Sequence, residues 1–405
     1  MKNIILFFLL TMTSCVFNNK KNEIDTMESN VDMYIVDIDN AKRGGLVKTS
    51  SIFKSVSAIP LETREDCLIG KINNVQVTDE YIFILDGEHA KSLYGFYKNG
   101  AFFMKYGNLG NGPGEYHSTS DFTIDKNSHE ILIFDNHSMK VLFYDINTGD
   151  YIRTVAVGGE GLTRFNVQYY ENKIYMDNFS FEYFDDESYL MNCLDLNNPK
   201  KEYQILKSAD YNKGFSGVIL TDGSFYSRTY GSPKYIPYWG DTVISLNTNS
   251  VTPYLVLKSR KFISVDDLKG LDFKYDDEVW DKVFKKNKIY NISNYLETDR
   301  YIYFKFLEGL VSNTVLFDKK DGFTMLFDII IDDMVYADPE RAALYHNFIC
   351  SDSKGFYAYI YPSKMHEFYE IAQNGFLSKK MQEENFISNL KEDSNPIIFF
   401  YSIDQ

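Results

Sequence analysis

A short apolar run ending in an acid recurs along this chain, and that recurrence constrains its fold more than any single motif. Tyr81-Ile82-Phe83-Ile84-Leu85-Asp86 is the first copy, and Glu130-Ile131-Leu132-Ile133-Phe134-Asp135 is the second. Lys173-Ile174-Tyr175-Met176-Asp177 follows, with weaker copies at Gly223–Ser227, Arg300–Phe304 and Gly355–Tyr359. Each precedes a second run of β-formers: Leu93–Tyr97, Val141–Tyr144, Leu190–Leu194, Thr242–Leu246, Thr314–Phe317 and Ile397–Tyr401. Turn residues such as Lys98-Asn99-Gly100, Asn147-Thr148-Gly149 and Lys320-Asp321-Gly322 come after these runs. Short aromatic and β-branched runs bounded by Asn, Asp and Gly pair as hairpins. Units of about 40–50 residues with about four strands each are the pattern of propeller blades. A parallel α/β fold needs a helical crossover between strands, and the first four units leave no room for one.

The expectation is an all-β, six-bladed β-propeller over residues 50–405. Two stretches interrupt the period. Residues 264–288 pair Val279 with Val283 and Trp280 with Phe284 at helical spacing, and residues 363–395 also read as mainly helical. The sixth unit has no fourth run after Ile397–Tyr401, while Phe53–Leu61 has no partner near it in sequence. Phe53–Leu61 is therefore predicted to close the ring as the outer strand of the last blade, which removes exposed sheet edges. Pro60 is tolerable there, because an outermost strand has one side without ladder bonds.

The N-terminus carries an address. Lys2 precedes the apolar run Ile4–Leu10, then Thr11-Met12-Thr13-Ser14 leads to Cys15. A basic start, an apolar middle and small residues at a cut form a signal peptide. Seven apolar residues make roughly 10 Å of helix, far short of a bilayer core of about 30 Å. Residues 1–14 are read as the signal peptide and 15–49 as a tether, since Asn18–Ser29 is polar and lacks apolar periodicity. A net charge of −15 is a poor footprint for nucleic acid, whose phosphates require clustered Lys and Arg. Cys67, Cys193 and Cys350 are widely spaced and form no C-x-x-C pair, so they read as buried thiols, not a zinc ribbon.

Met12-Thr13-Ser14-Cys15 resembles the lipobox of bacterial lipoproteins, which implies lipidation of Cys15 and membrane attachment through acyl chains. Tyr106-Gly107-Asn108-Leu109-Gly110-Asn111-Gly112-Pro113-Gly114-Glu115-Tyr116, with Phe122–Asp125, Ile131–Asp135 and Lys140–Asp145, is similar to an NHL-type propeller repeat. Pro60–Thr63, Leu68–Ile72 and Asn395–Ile398 extend the likeness to the six-bladed β-propeller lipoproteins of Bacteroidetes type. That resemblance implies a cell-envelope location, an outer-membrane lipoprotein, and no reaction. Surface-exposed relatives often carry acids directly after the Cys. Here Val16-Phe17-Asn18-Asn19-Lys20-Lys21 follows, which favours the periplasmic side.

Two functions fit such a chain. One is a binding or interaction module for a glycan, peptide or envelope protein. The other, by analogy of fold, is a metal-dependent NHL-like hydrolase or lyase acting in the channel. Asp86, His89, Asp135, His137 and Asp177 recur at one phase of the repeat and are candidate channel-face residues. The same recurrence suits a turn-capping Asp, whose side chain accepts from nearby backbone amides. Later copies offer Ser227, Lys305 and Tyr359 near that phase, which breaks any ring of ligands and favours binding over metal chemistry. Tyr230, Tyr235, Tyr238 and Trp239, beside Pro233 and Pro237, are candidate aromatic contacts for sugar or peptide. No cofactor is called for, although the acidic pairs Asp185-Asp186, Asp276-Asp277 and Asp332-Asp333 could serve Ca²⁺. Gly107-x-x-Gly110-x-Gly112 lacks the Gly-Lys-Ser/Thr ending of a phosphate loop, so it reads as a turn requiring positive φ.

Overall fold

Both faces of each central strand are covered, and this explains why the repeated runs are continuously apolar instead of alternating. In Glu130–Asp135, Ile131 and Ile133 pack with Phe83, Leu93 and Tyr106, while Leu132 and Phe134 pack with Val167, Ile174 and Met176. In Tyr81–Asp86, Ile82 and Ile84 pack toward Tyr357 and Ile398, and Phe83 and Leu85 toward Ile131 and Leu142. The core therefore lies between sheets, as wedges around a ring. The computed structural model describes residues 33–158, 164–178, 188–198, 202–211, 226–227, 231–237, 239–247, 250–268, 280–338 and 348–403.

Six antiparallel sheets make the ring. Blade one is Asn74–Val77, Tyr81–Asp86, Ser92–Tyr97 and Phe102–Tyr106. Blade two is Asp121–Asp125, Glu130–Asp135, Lys140–Asp145 and Tyr151–Ala156. Blade three is Val167–Tyr170, Lys173–Asp177, Tyr189–Asp195 and Glu202–Lys207. Blade four is Tyr226–Ser227, Lys234–Tyr235, Thr242–Asn247 and Ser250–Lys258. Blade five is Ile289–Glu297, Tyr301–Glu308, Val311–Asp318 and Thr324–Phe327. Blade six is Phe348–Ser351, Gly355–Tyr359 and Ile397–Ser402, closed by Ser55–Pro60. First strands of neighbouring blades meet around the axis, from blade four through five, six and one to two and three.

The closing strand is as expected. Ser55–Pro60 pairs antiparallel with Ile397–Ser402, with Pro60 opposite Ile397. The weak fourth copy sits elsewhere. Tyr226–Ser227 is the first strand of blade four among the described residues, and Lys234–Tyr235 is the second. Two-residue pairings do not need the six-residue apolar run that marks the other blades.

The tether reading of 15–49 requires correction at its end. Tyr34–Asp37 adds a fifth, parallel strand to blade four along Leu255–Lys258. Lys42–Arg43 does the same for blade five at Met325–Leu326, and Leu46–Lys48 runs parallel to Ile329–Ile331. Val36 and Ile38 are buried while Ile35 is 55% exposed, the alternation of an edge strand lying on a core. Residues 33–49 are thus part of the propeller. The run Tyr34-Ile35-Val36-Asp37-Ile38 carried that signal in its β-branched content.

Asp332 and Asp333 anchor this segment instead of lying free in solvent. Asp332 is fully buried and accepts from Thr49 Oγ1 (2.9 Å), Tyr401 Oη (2.6 Å) and the amides of Met334 and Val335. Asp333 accepts from Ser50 N (3.0 Å) and Ser50 Oγ (2.6 Å). Asp185-Asp186 and Asp276-Asp277 lie outside the described residues. Each insertion contains helical turns among its described residues. Val265–Leu268 and a π-helical turn at Trp280–Phe284 belong to the first, and Met365–Gln373 to the second. Met365, Phe368, Ile371 and Ala372 form one face of that helix and pack on Phe399 and Tyr401 of blade six.

Candidate functional site

The recurrent acids are structural caps. Asp86 is buried, and its Oδ2 accepts from Gly70 N (2.7 Å) and Lys71 N (3.0 Å), while Oδ1 accepts from His89 N (2.8 Å). Asp135 Oδ2 accepts from His117 N (2.9 Å), and Oδ1 from Ser118 Oγ, His137 N and Ser138 N. Asp177 Oδ1 accepts from Phe165 N and Asn166 N (3.0 Å each), and Oδ2 from Asn166 Nδ2 (2.8 Å). In every case the acid ending the second strand ties down the chain entering the first strand of its own blade. Such caps pair backbone amides that the ladder does not reach.

Their electrostatics diverge. Burial pushes the Asp135 carboxyl up, but donors from His117, Ser118 and Ser138 outweigh it and hold the group below the usual carboxylate range. At Asp177 burial wins over the same kind of donors, and the carboxyl rises to about 6.

His89 and His137 project as exposed side chains of the turns after these acids. The His137 ring lies 5.3 Å from that of His117, edge to face. His117 in turn contacts Ser138 Oγ (2.7 Å) and Asn111 Oδ1 (2.6 Å). Among the described residues no three His, Cys, Asp or Glu side chains gather as metal ligands. The glycine loop departs in part from the reading of positive φ. Gly107 (φ 63°) and Gly114 (φ 74°) take it, whereas Gly110 and Gly112 do not, and Gly112 N donates to Glu115 Oε2 (2.7 Å).

Of the aromatic candidates, Tyr235 is buried among Tyr175, Ile205 and Ile244, and Trp239 is buried with its ring 5.4 Å from Tyr290. Tyr235 is core because it lies in the second strand of blade four between neighbouring sheets, and Trp239 because it packs among Ile263, Leu268, Val283 and Tyr290. Tyr230 and Tyr238 lie outside the described residues. Cys67, Cys193 and Cys350 are buried free thiols, and burial lifts Cys193 to about 12.

The opposite mouth of the channel holds a different feature. A recess of about 370 Å³ opens where the first strands end, lined from blades six, one, two, three and four. The acids described above end the second strands, which run the other way, so they lie at the far end of the ring. Polar residues alternate along the first strands: Asn74 and Gln76, then Asp121, Thr123 and Asp125, then Asn166 and Gln168. Period-two polarity in a buried strand means one face on the channel and one on the core.

Near the axis these side chains tie blades together. Asn74 Nδ2 donates to Asp121 Oδ1 (2.6 Å), Val167 N donates to Asp121 Oδ2 (3.0 Å), and Gln76 Nε2 donates to Phe122 O (2.6 Å). Gln168 lines the recess, is 7% exposed, and its Nε2 has no hydrogen-bond partner. Two charged side chains, Asp352 on the recess wall and Lys234 beside it, already have hydrogen-bond partners. Asp352 accepts from Lys354 N, Gly355 N and Tyr357 Oη, which also receives Lys98 Nζ at 2.8 Å. Lys234 Nζ donates to Ser232 O and Oγ (2.8 Å each) over the Tyr254 ring. The apolar second strands carry no trace of this recess, whose signal in the sequence is the alternating polarity of the first strands.

Six sheets around a channel, with one mouth recessed and lined by polar side chains, define a six-bladed β-propeller. The chain belongs to the family described as Domain of unknown function (DUF4934), whose model matches residues 33–402. Its fold is similar to that of a Bacteroides fragilis NCTC 9343 protein designated as exported, at TM-score 0.68 and 17% identity, covering 92% of this chain and 100% of that one. A member of the DUF4221 family from Bacteroides vulgatus ATCC 8482 aligns at TM-score 0.47 and 12% identity, covering 86% of this chain and 96% of that one. No functionally curated protein matches the sequence. Among the described residues no helix is long and apolar enough to cross a membrane.

Proposed function

We propose that this protein is an envelope lipoprotein, anchored through Cys15, whose propeller is a binding module that takes its ligand in the channel recess. The observation carrying the reading is the recess itself, to which five blades contribute and in which a buried amide donor stands unpaired. Binding sites are concave and carry a few convergent polar groups, and closed propellers commonly present one at a channel mouth. The leader ending at Ser14-Cys15 supports export and lipidation, and the acid-free stretch Val16–Lys21 supports the periplasmic side of an outer membrane.

The test is a thermal-shift screen of the Cys15→Ala protein against a panel of oligosaccharides and tripeptides. Ser232→Trp, which fills the recess from blade four, serves as the blocked form. Stabilisation of the open form by at least one panel member, lost in Ser232→Trp, is the expected result. Stabilisation that survives the blocking substitution would place the site elsewhere.

A further inference from the structure

The recess is lined by the uncharged amides Gln76 and Gln168, among other residues. We infer that its ligand is a neutral, hydroxyl-rich saccharide; this rests on the recess being the binding site and names what it takes. The argument begins with two amides on either side of blade two. Gln168, from the first strand of blade three, brings a buried N–H donor that no protein group satisfies. A buried donor without a protein partner is unfavourable, and an acceptor brought to it restores a hydrogen bond.

Gln76, from the first strand of blade one, is the complement. It spends its amide N–H on Phe122 O, and among the described residues no donor meets its Oε1. One wall therefore offers a donor and the other an acceptor, both uncharged. A sugar hydroxyl is donor and acceptor at once, so neighbouring hydroxyls on one ring satisfy both walls. Tyr170, half-buried on the rim, adds an aromatic surface.

Charge excludes an anionic competitor. Asp125, Glu171 and Asp352 line the recess against Lys126, so an anionic ligand would enter against an acidic surface. A cationic peptide would suit those acids and its carbonyls could serve Gln168, so trilysine is the competitor carried into the experiment. Asp352 also has both carboxylate oxygens occupied by Lys354 N, Gly355 N and Tyr357 Oη. Asp125 Oδ1 is occupied in part by Asn127 N at 3.0 Å. Asp352 is thus committed to its turn, and the two amides remain for recognition.

The experiment titrates maltotriose, cellotriose, chitotriose and trilysine into Cys15→Ala protein by calorimetry, with Gln168→Leu and Ser232→Trp on the same background. At least one of the three saccharides should bind, at least tenfold more weakly to Gln168→Leu and undetectably to Ser232→Trp. Gln168→Leu should melt no lower than its parent, because it removes an unpaired buried amide, so weaker binding cannot be blamed on unfolding. Trilysine binding that Ser232→Trp abolishes, with no saccharide binding, would overturn the saccharide class and leave the recess as the site. Saccharide binding unchanged in both variants would overturn the recess as well. Absence of binding by all three saccharides would also defeat the inference, and the wider panel would then judge the recess separately.

Discussion

The phenol of Tyr401 donates to Asp332 Oδ2 at 2.6 Å, linking the third strand of blade six to the turn that holds Thr49 of the N-terminal segment. Both groups are buried, and burial together with the Asp332 charge holds the phenol well above its ordinary pKa, so it stays a neutral donor. Tyr401→Phe should cost about 1.5–3 kcal/mol, the range for a hydrogen bond to a charged group. Equilibrium unfolding in urea measures this, and an unchanged midpoint would show that the contact contributes nothing.

The N-terminal segment should behave as part of the propeller and not as a leash. Ile38 is buried on blade four, and Ile38→Ala should destabilise by roughly 2–5 kcal/mol. Ile35, one position from Val36 on the outward side, should tolerate alanine within about 0.5 kcal/mol. Equal effects from the two substitutions would refute the edge-strand register.

Asp177 gives the protein a pH dependence of defined sign. Its folded pKa, about 6, lies above the ordinary carboxylate value of 3.8, so the folded state binds the proton more tightly. Between roughly pH 4 and pH 6 the native state then carries more protons than the unfolded chain, and stability falls as pH rises. The shift corresponds to a loss on the order of 1–3 kcal/mol across that window, with no further change above it. Urea unfolding at pH 4, 5, 6 and 7 should show this slope in wild type and a shallower one in Asp177→Asn. A parallel pair of profiles would assign the slope to other groups.

Two glycines separate backbone strain from crowding. Gly322 has φ 74° with nothing within 4 Å of a built Cβ, so Gly322→Ala should cost about 1–2 kcal/mol for the left-handed conformation alone. Gly107 has φ 63°, and a Cβ there would lie 2.5 Å from Tyr144 Oη and 2.8 Å from Tyr116 Cε1. Gly107→Ala should cost about 1–3 kcal/mol more than its counterpart. Thermal melts of the two variants would reverse or merge if the blade-one-to-two turn could relax freely.

Cys15→Ala should abolish incorporation of a fatty-acid analogue and move the protein from the membrane to the soluble fraction. Labelling equal to wild type would remove the lipid anchor from the account. Retained label with soluble fractionation would mean a chain too weakly held, since one acyl chain gives only marginal membrane binding.

Periodicity carried the blades because a strand buried on both faces must be apolar at every position, and that demand is local. Tyr81–Asp86 and Glu130–Asp135 announce themselves for this reason, and the missing outer strand of blade six followed from counting. The acids ending those runs were legible as caps for the same reason: Asp86, Asp135 and Asp177 act on backbone within their own blade. What tertiary structure alone decided involves residues far apart in sequence. Tyr34–Asp37 lies against Leu255–Lys258, so its edge-strand role depends on a surface the ring creates. Tyr235 and Trp239 are core because neighbouring blades cover them, although turn composition around Pro233 and Pro237 suggested exposure. The recess is likewise a product of closure. Gln76 and Gln168 are unremarkable amides along the chain, and they face a common space only because six twisted sheets bring their first strands to one axis.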